Sequence, residues 1–280
     1  MNSSKASLKK IIILTGSELR HDFFRVSVAQ NKNISVLASF CEGAEKSLQN
    51  LVQKDPSASK QLIQHAKRRA DSEKKFFVEK ASKNDLSRPS FIKKGSINDH
   101  SVVKKILELK PDLIICYGSS LIKSRLLEDF KGSFINVHLG LSPYYRGSGT
   151  NVWPLINEAP EYVGATFMHI DSGIDTGNII HQIRADIKVS DSPHDIGNRL
   201  IHKMTEVYQS IILDFDRLKK MPQPVNSNGK LYLIKDFNNA ACKTLYKNFT
   251  SNMLKNYLVN KEKRNSDVQI IENPCLESSE

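Results

Sequence analysis

A continuous apolar run near the start of the chain, residues 11–14, places the strongest constraint on the fold. It ends at the turn formers Thr15-Gly16-Ser17. Apolar runs without alternation are typical of parallel strands that are buried on both faces. Residues 34–40 and 112–117 are further strand candidates, and helical patterns separate them. This alternation predicts an α/β fold with a doubly wound, mostly parallel sheet.

The pattern of strands and helices also predicts how the chain is divided into domains. We expect one catalytic domain over residues 9–221, with a helical insert at about 42–83 that is rich in Lys and Gln. Two prolines, Pro222 and Pro224, end this domain. Residues 222–261 then form a short C-terminal appendage, and the polar residues 262–280 are expected to be disordered.

Composition narrows the class of protein. The chain has 280 residues, enough for one or two domains with a full core. No apolar run approaches the roughly 20 residues that cross a bilayer, and the N-terminus lacks the apolar segment of a signal peptide. The 4 cysteines lie far apart and match no metal spacing. We therefore expect a cytoplasmic protein with no metal and no membrane partner.

The net charge of +11 is unevenly distributed. Residues 42–105 carry 15 Lys and Arg against 8 Asp and Glu, whereas residues 106–200 carry 8 against 11. Two interpretations remain open. The basic segment is either a solvated helical face or a means of attracting an anionic substrate.

Three residues further along the chain suggest acyl-transfer chemistry. Asn136 and His138 stand two positions apart at the end of a predicted strand, so their side chains point to the same side. An amide can donate a hydrogen bond to a developing oxyanion, and an imidazole can carry a proton. Asp175, in the glycine-punctuated loop 171–177, could orient the imidazole and favour its charged form.

These motifs resemble those of the formyltransferase family that takes its formyl group from 10-formyltetrahydrofolate. The family order is Asn-x-His, a loop of the form Ser-Leu-Leu-Pro-x-x-x-Gly, and Asp-x-Gly. Here the loop at residues 140–147 reads Gly-Leu-Ser-Pro-Tyr-Tyr-Arg-Gly, which keeps the proline and the last glycine but permutes the first part. The resemblance covers residues 9–220 and implies the Rossmann-like formyltransferase fold, with Asn136, His138 and Asp175 as catalytic residues.

The resemblance also implies 10-formyltetrahydrofolate as the co-substrate. In the family, the pterin contacts backbone groups of two loops, which here correspond to four candidate residues: Ser120, Leu121, Ile122 and Gly173. Leu121 and Ile122 would fit a plain core role equally well. The turn after the first strand lacks the Gly-x-Gly-x-x-Gly pattern, which argues against nicotinamide or flavin.

The acceptor is expected to carry an anion. Candidate acceptor-binding residues are Gly16, Ser17, Arg20, Tyr144 and Arg146. The turn after the first strand opens a helix whose free N–H groups could hold a phosphate, and the two arginines could clamp it. Alternatively, Arg20 pairs with Glu18 or Asp22 and does not bind the ligand.

Several acceptors are consistent with these motifs. The residues after Pro224 lack the period-2 runs of the β-barrel that methionyl-tRNA formyltransferases carry. We therefore favour a small, phosphorylated amine such as an amino-sugar nucleotide, with no nucleic-acid partner; a homodimer stays open. The alternatives are a methionyl-tRNA formyltransferase-like activity, a 10-formyltetrahydrofolate hydrolase, or a non-catalytic basic binding module. The hydrolase is disfavoured because only eight residues precede the first strand, where a regulatory domain is usual.

Overall fold

The computed structural model describes residues 8–45, 47–224 and 229–276. The strands are β1 (Lys9–Gly16), β2 (Ile34–Glu42), β3 (Pro89–Ile92), β4 (Leu113–Tyr117), β5 (Phe134–His138), β6 (Tyr145–Gly147), β7 (Gly164–His169), β8 (Ile179–Arg184) and β9 (Lys230–Tyr232). The α-helices are α1 (Leu19–Ala29), α2 (Leu48–Lys54), α3 (Lys60–Ala81), α4 (His100–Leu109), α5 (Ser124–Asp129), α6 (Trp153–Ile156), α7 (Pro193–Asp214), α8 (Asn239–Thr250), α9 (Met253–Val259) and α10 (Lys261–Ser266).

A seven-stranded sheet in the order β3-β2-β1-β4-β5-β7-β8 forms the centre of the fold. The first five strands are parallel, β7 runs antiparallel to β5, and β8 runs antiparallel to β7. The predicted doubly wound, mostly parallel α/β fold is confirmed. β3 was not predicted, because it is a short edge strand that begins at a proline and leaves Phe91 exposed.

The apolar run of β1 divides its side chains between two cores. Ile11 and Ile13 face one core, to which α1, α3 and α7 contribute, while Ile12 and Leu14 face the other, to which α4 and α5 contribute. All four side chains are completely buried. A continuous apolar run is therefore the pattern that a strand covered by helices on both faces requires.

The helices predicted at about 42–83 are α2 and α3, although Glu42 itself still belongs to β2. Helix α3 packs against α1, α7 and α8, and its Phe77 is fully buried in the main core. The division of the chain into domains stays a prediction. Within the described residues, no helix combines the length and the apolar character needed to cross a membrane.

The prediction of a disordered tail from residue 262 is wrong for residues 262–276. Helix α10 covers the first part, and Asn273 is buried, with its side-chain amide donating to the carbonyls of Ile180 and Lys219 at 2.9 Å each. The backbone N–H of Gln182 donates to the Ile271 carbonyl at 2.7 Å. The tail is ordered because it satisfies polar groups of β8, the edge strand. Residues 277–280 lie outside the described part of the chain.

Candidate active site

A cavity of about 870 Å³ opens where β1, β4 and β5 end. Its lining includes the turn after β1, the loop after β4, the end of β5 and the loop that joins β7 to β8. In open α/β sheets, ligands bind beyond the carboxyl ends of the strands. Asn136, His138 and Asp175 all line this cavity, so the structure brings together the three residues that the motifs predicted as catalytic.

His138 and Asp175 form the central pair of the site. The Nδ1 atom of His138 lies 3.3 Å from Oδ2 of Asp175, and the two side chains are 6% and 12% exposed. The Nε2 atom of His138 lies 2.9 Å from the Tyr145 carbonyl oxygen and 3.2 Å from the Thr150 hydroxyl oxygen. That hydroxyl donates its own proton to the Leu139 carbonyl at 2.6 Å, so it can only accept from the ring. The network therefore assigns a proton to Nε2.

The other ring nitrogen of His138, Nδ1, faces the carboxylate of Asp175. If Nε2 of His138 carries the only proton, the lone pair of Nδ1 points at the carboxylate of Asp175. A second proton on Nδ1 replaces that repulsion with a charge-assisted hydrogen bond. The contact between Nδ1 and Oδ2 is thus a hydrogen bond only when the ring carries its second proton. The Asn136 side chain makes no hydrogen bond to the described residues, which leaves its amide able to donate to a ligand.

The backbone holds Asp175 in an unusual conformation. Its φ angle of 53° lies in the left-handed region, and its carboxylate accepts a hydrogen bond from the Gly147 N–H at 2.8 Å. The Gln223 side-chain amide donates to the carbonyls of Asp175 and Gly177 at 2.9 and 2.8 Å. A Cβ atom on Gly177 would lie 1.8 Å from the His169 carbonyl oxygen, so this turn requires glycine.

The two loops predicted to bind the formyl donor also border the cavity. One of them is anchored by the buried carboxylate of Glu42, which the motifs did not reveal. Ser120, Leu121, Ile122 and Gly173 all line the cavity. Glu42 accepts hydrogen bonds from the backbone N–H groups of Ser120 at 2.6 Å and Gly95 at 2.8 Å, and from Lys94 Nζ at 3.1 Å. Burial would raise the pKa of Glu42, but these donors hold it below its ordinary value. Leu121 is 63% exposed and is not a core residue, whereas Ile122 packs partly against the core.

The predicted anion clamp is not assembled. Gly16, Ser17 and Arg20 line the cavity, but the Arg20 guanidinium pairs with Glu18 and, at 2.9 Å, with Glu73 of α3. Burial alone would lower the pKa of Arg20, and Glu73 and Glu18 raise it above its ordinary value. The structure therefore agrees with the alternative interpretation, in which the Arg20 guanidinium is held in an internal ion pair and does not bind the ligand. Sequence proximity revealed Glu18, but nothing local pointed to Glu73.

The other two predicted acceptor residues lie elsewhere. Neither Tyr144 nor Arg146 belongs to the cavity lining over the part of the chain that the structure describes. Tyr144 packs edge-to-face on Tyr162, with ring centroids 5.1 Å apart. Strand β6 contributes backbone groups to the site through Tyr145 and Gly147. The Arg146 side chain between them is directed away, because successive side chains of a strand point to opposite faces.

The sequence patterns did not predict one wall of the cavity, which is built mainly from the helical insert and the C-terminal segment. It contains His65 and Arg69 of α3, His194 of α7, and Leu231, Leu233, Ile234, Lys235 and Phe237. The rings of His65 and His194 lie 4.7 Å apart. Burial lowers the pKa of His65 to about 3 and that of His194 to about 4, so both are neutral near pH 7. His65 is only 3% exposed. Among the described residues, no group of three or more His, Cys, Asp or Glu is placed to hold a metal ion.

Comparisons with known proteins place this fold and site in a family. The family model described as formyl transferase matches residues 25–212. The methionyl-tRNA formyltransferase of Alkaliphilus oremlandii is 35% identical over 129 residues, which cover 45% of this chain and 41% of that protein. The chain thus matches about two fifths of the length of this curated relative.

Solved structures agree on the fold. The phosphoribosylglycinamide formyltransferase of Anaplasma phagocytophilum has a TM-score of 0.55 at 13% identity, covering 81% of this chain and 100% of that one. The Helicobacter canadensis N-formyltransferase in complex with folinic acid and dTDP-3-aminofucose has a TM-score of 0.54 at 17% identity, covering 87% and 81%. The fold and the cavity define an α/β protein of the formyltransferase type. The chain belongs to the formyl transferase family, as the resemblance of its motifs predicted.

Proposed function

We propose that the protein transfers a formyl group from 10-formyltetrahydrofolate to a primary amine of a small, phosphorylated acceptor such as an amino-sugar nucleotide. The observation that carries this proposal is the His138–Asp175 pair beside the Asn136 amide, which has no hydrogen-bond partner within the described residues, in one cavity of a family member. The cavity of about 870 Å³ lies within the range of small-molecule sites and could hold a folate head group together with an acceptor.

The three residues divide the chemistry of transfer. The amine attacks the formyl carbon, a C–N bond forms, and the electron pair of the carbonyl moves onto its oxygen. The Asn136 amide donates a hydrogen bond to this oxyanion, and the His138 imidazolium supplies positive charge beside it. Asp175 stabilises the charged form of the His138 ring, and a solvent water takes the proton that the amine loses. Collapse of the oxyanion breaks the bond to folate N10, which receives a proton as it leaves.

The walls of the cavity suggest where each substrate binds. The loop at 118–122 and Gly173 offer backbone groups and the exposed Leu121 side chain to the folate ring. On the wall formed with the C-terminal segment, Lys235 provides positive charge for an anionic acceptor. A fold neighbour in complex with folinic acid and dTDP-3-aminofucose holds the kind of ligand pair that we propose here.

A methionyl-tRNA acceptor is the second candidate. The sequence relative at 35% identity is a methionyl-tRNA formyltransferase, and helix α3 carries seven Lys and Arg against three Asp and Glu. Such a helix could contact a phosphate backbone. This candidate requires the basic face of α3 to bind RNA, whereas the small acceptor requires only the cavity wall.

An acceptor panel tests the proposal. Purified protein is incubated with 10-formyltetrahydrofolate and, separately, uridine- or thymidine-diphosphate amino sugars, the free amino sugars, initiator methionyl-tRNA, or no acceptor. We expect a formylated sugar nucleotide and one tetrahydrofolate per product, with slower reaction of the free sugar. Formylation of the tRNA alone would favour the second candidate, formate without acceptor would indicate a hydrolase, and absence of folate binding would leave a binding module.

A further inference from the structure

The C-terminal segment reaches the centre of the site, although it lies beyond the matched family region, residues 25–212. Strand β9 pairs in parallel with β6 in a two-stranded sheet that is separate from the main one. Two further backbone hydrogen bonds extend this pairing, from Lys230 N–H to the Tyr144 carbonyl at 2.9 Å and from Ser148 N–H to the Tyr232 carbonyl at 2.8 Å. Strand β6 is thus fixed by residues about 85 positions later in the chain.

Strand β6 is also the strand that contacts both members of the central pair. Its Tyr145 carbonyl accepts from His138 Nε2 at 2.9 Å, and its Gly147 N–H donates to Asp175 Oδ2 at 2.8 Å. The approach of β9 is close, because a Cβ atom on Gly147, where φ is 91°, would lie 2.1 Å from the Tyr232 carbonyl oxygen. A shift of β9 would therefore move hydrogen-bond partners of both the imidazole and the carboxylate.

A second contact from the same segment fixes the Asp175 loop directly. Met221 forms an isolated antiparallel bridge with Ile179, with N–H···O distances of 2.7 and 2.9 Å, and this bridge sets the position of Gln223. The Gln223 amide then binds the carbonyls of Asp175 and Gly177 at 2.9 and 2.8 Å. Because Asp175 has a left-handed backbone, which L side chains rarely adopt, an external contact is needed to hold it there.

Aromatic stacking stabilises the outer side of this arrangement. The Tyr232 ring lies between Trp153, with ring centroids 4.3 Å apart, and Tyr145, with centroids 5.8 Å apart, and both pairs are nearly parallel. The Asn157 amide donates to the hydroxyl oxygens of Tyr232 at 2.9 Å and Tyr145 at 3.2 Å. β9 is therefore anchored to the fold independently of any ligand.

We infer that Gln223 and β9 form a clasp that positions the His138–Asp175 pair for the chemical step. Gln223 is a positioning residue: it touches neither the ring nor the carboxylate, and it acts through the backbone of Asp175. The expected change in rate rests on the proposed function. The expected change at the His138 ring rests on geometry alone. Misplacing a reacting group slightly is enough to lower the rate substantially while leaving substrate binding intact.

The test compares Gln223→Met with the matched control Gln209→Met. Gln209 is also half-buried and makes two hydrogen bonds, with Asn31 and the Thr205 carbonyl, and both of these partners lie outside the Asp175 loop. We expect Gln223→Met to lower kcat by about tenfold, with the KM for the folate donor within about twofold of wild type. The control should match wild type in both constants. Gln223→Glu, which keeps the shape but removes the donor, should behave like Gln223→Met.

A measurement independent of activity completes the test. With ¹⁵N-labelled histidine, the ring nitrogen signals of His138 should shift or broaden in both Gln223 variants and stay unchanged in Gln209→Met. Folded Gln223 variants whose His138 signals coincide with wild type would overturn the clasp, whatever their rate. If the wild type transfers no formyl group, the proposed function fails, while the His138 signals still decide the clasp.

Discussion

Two ionic clusters border the same cavity and differ in what they leave available. In the Arg20 cluster, one guanidinium lies between Glu18 and Glu73, and Arg69 adds a second cation 3.1 Å from Glu73. In the His138–Asp175 pair, one ring and one carboxylate share a 3.3 Å contact beside the Asn136 amide, to which no other described residue bonds. The first cluster satisfies its charges internally, whereas the second lies beside an amide that can donate to a ligand. Location at a strand end is therefore insufficient to define a functional residue.

The largest expected effect comes from the second cluster. His138→Ala should lower kcat by about 10²- to 10³-fold, or about 3–4 kcal/mol, because it removes the charge beside the oxyanion. The measurement is steady-state formyl transfer, with thermal unfolding as the check on folding. Near-normal turnover of a folded variant would exclude His138 from the chemistry.

The Arg20 cluster should respond in stability. Glu73→Ala leaves Arg20 without one of its two carboxylate partners in a site where its side chain is 12% exposed. We expect the free energy of unfolding to fall by about 3 kcal/mol, as for other broken buried pairs, with kcat of the folded enzyme nearly unchanged. Urea denaturation monitored by circular dichroism measures the first quantity. A large loss of kcat with unchanged stability would instead assign this cluster to substrate binding.

Asp175→Asn should have an intermediate effect on rate. Asparagine can still accept from the Gly147 N–H, so the loop keeps its main contact, but the negative charge that favours the imidazolium is lost. We expect kcat to fall by about tenfold with little change in the KM for the donor. A variant that loses donor binding but keeps kcat would show that Asp175 acts as a folate ligand.

The smallest expected effect is on stability and concerns Glu42, which anchors the loop at residues 118–122. Because the pKa of folded Glu42 is below its ordinary value of 4.5, its contribution to stability is complete above that value and is lost as pH falls through the folded pKa. Thermal unfolding of wild type should therefore show an acid-induced loss of stability that is reduced in Glu42→Gln. Lys94→Met, which removes one of the three donors, serves as a partial control. Parallel pH profiles for wild type and Glu42→Gln would contradict this role.

The sequence predicted the parts of the molecule that depend on local patterns. The apolar run of β1 and the strand–helix alternation were sufficient for the fold class, and the motifs of Asn136, His138 and Asp175 predicted that these residues meet at one cavity. Contacts between distant segments were not predictable: Glu73 is 53 positions from Arg20, and β9 pairs with β6 from about 85 positions later in the chain. The ordered tail was missed for the same reason, since Ile271 and Asn273 bond to residues of β8, which lie about 90 positions earlier in the chain.

Whether His138 and Asp175 act as one unit is tested most directly by a double-mutant cycle on kcat. Wild type, His138→Ala, Asp175→Asn and the double variant are compared with the same donor and acceptor. If the carboxylate works through the imidazole, the double variant should be no slower than His138→Ala, because the second substitution removes nothing further. A double variant whose loss equals the product of the two single losses would show that the residues act independently, and would contradict the pair as the centre of the site.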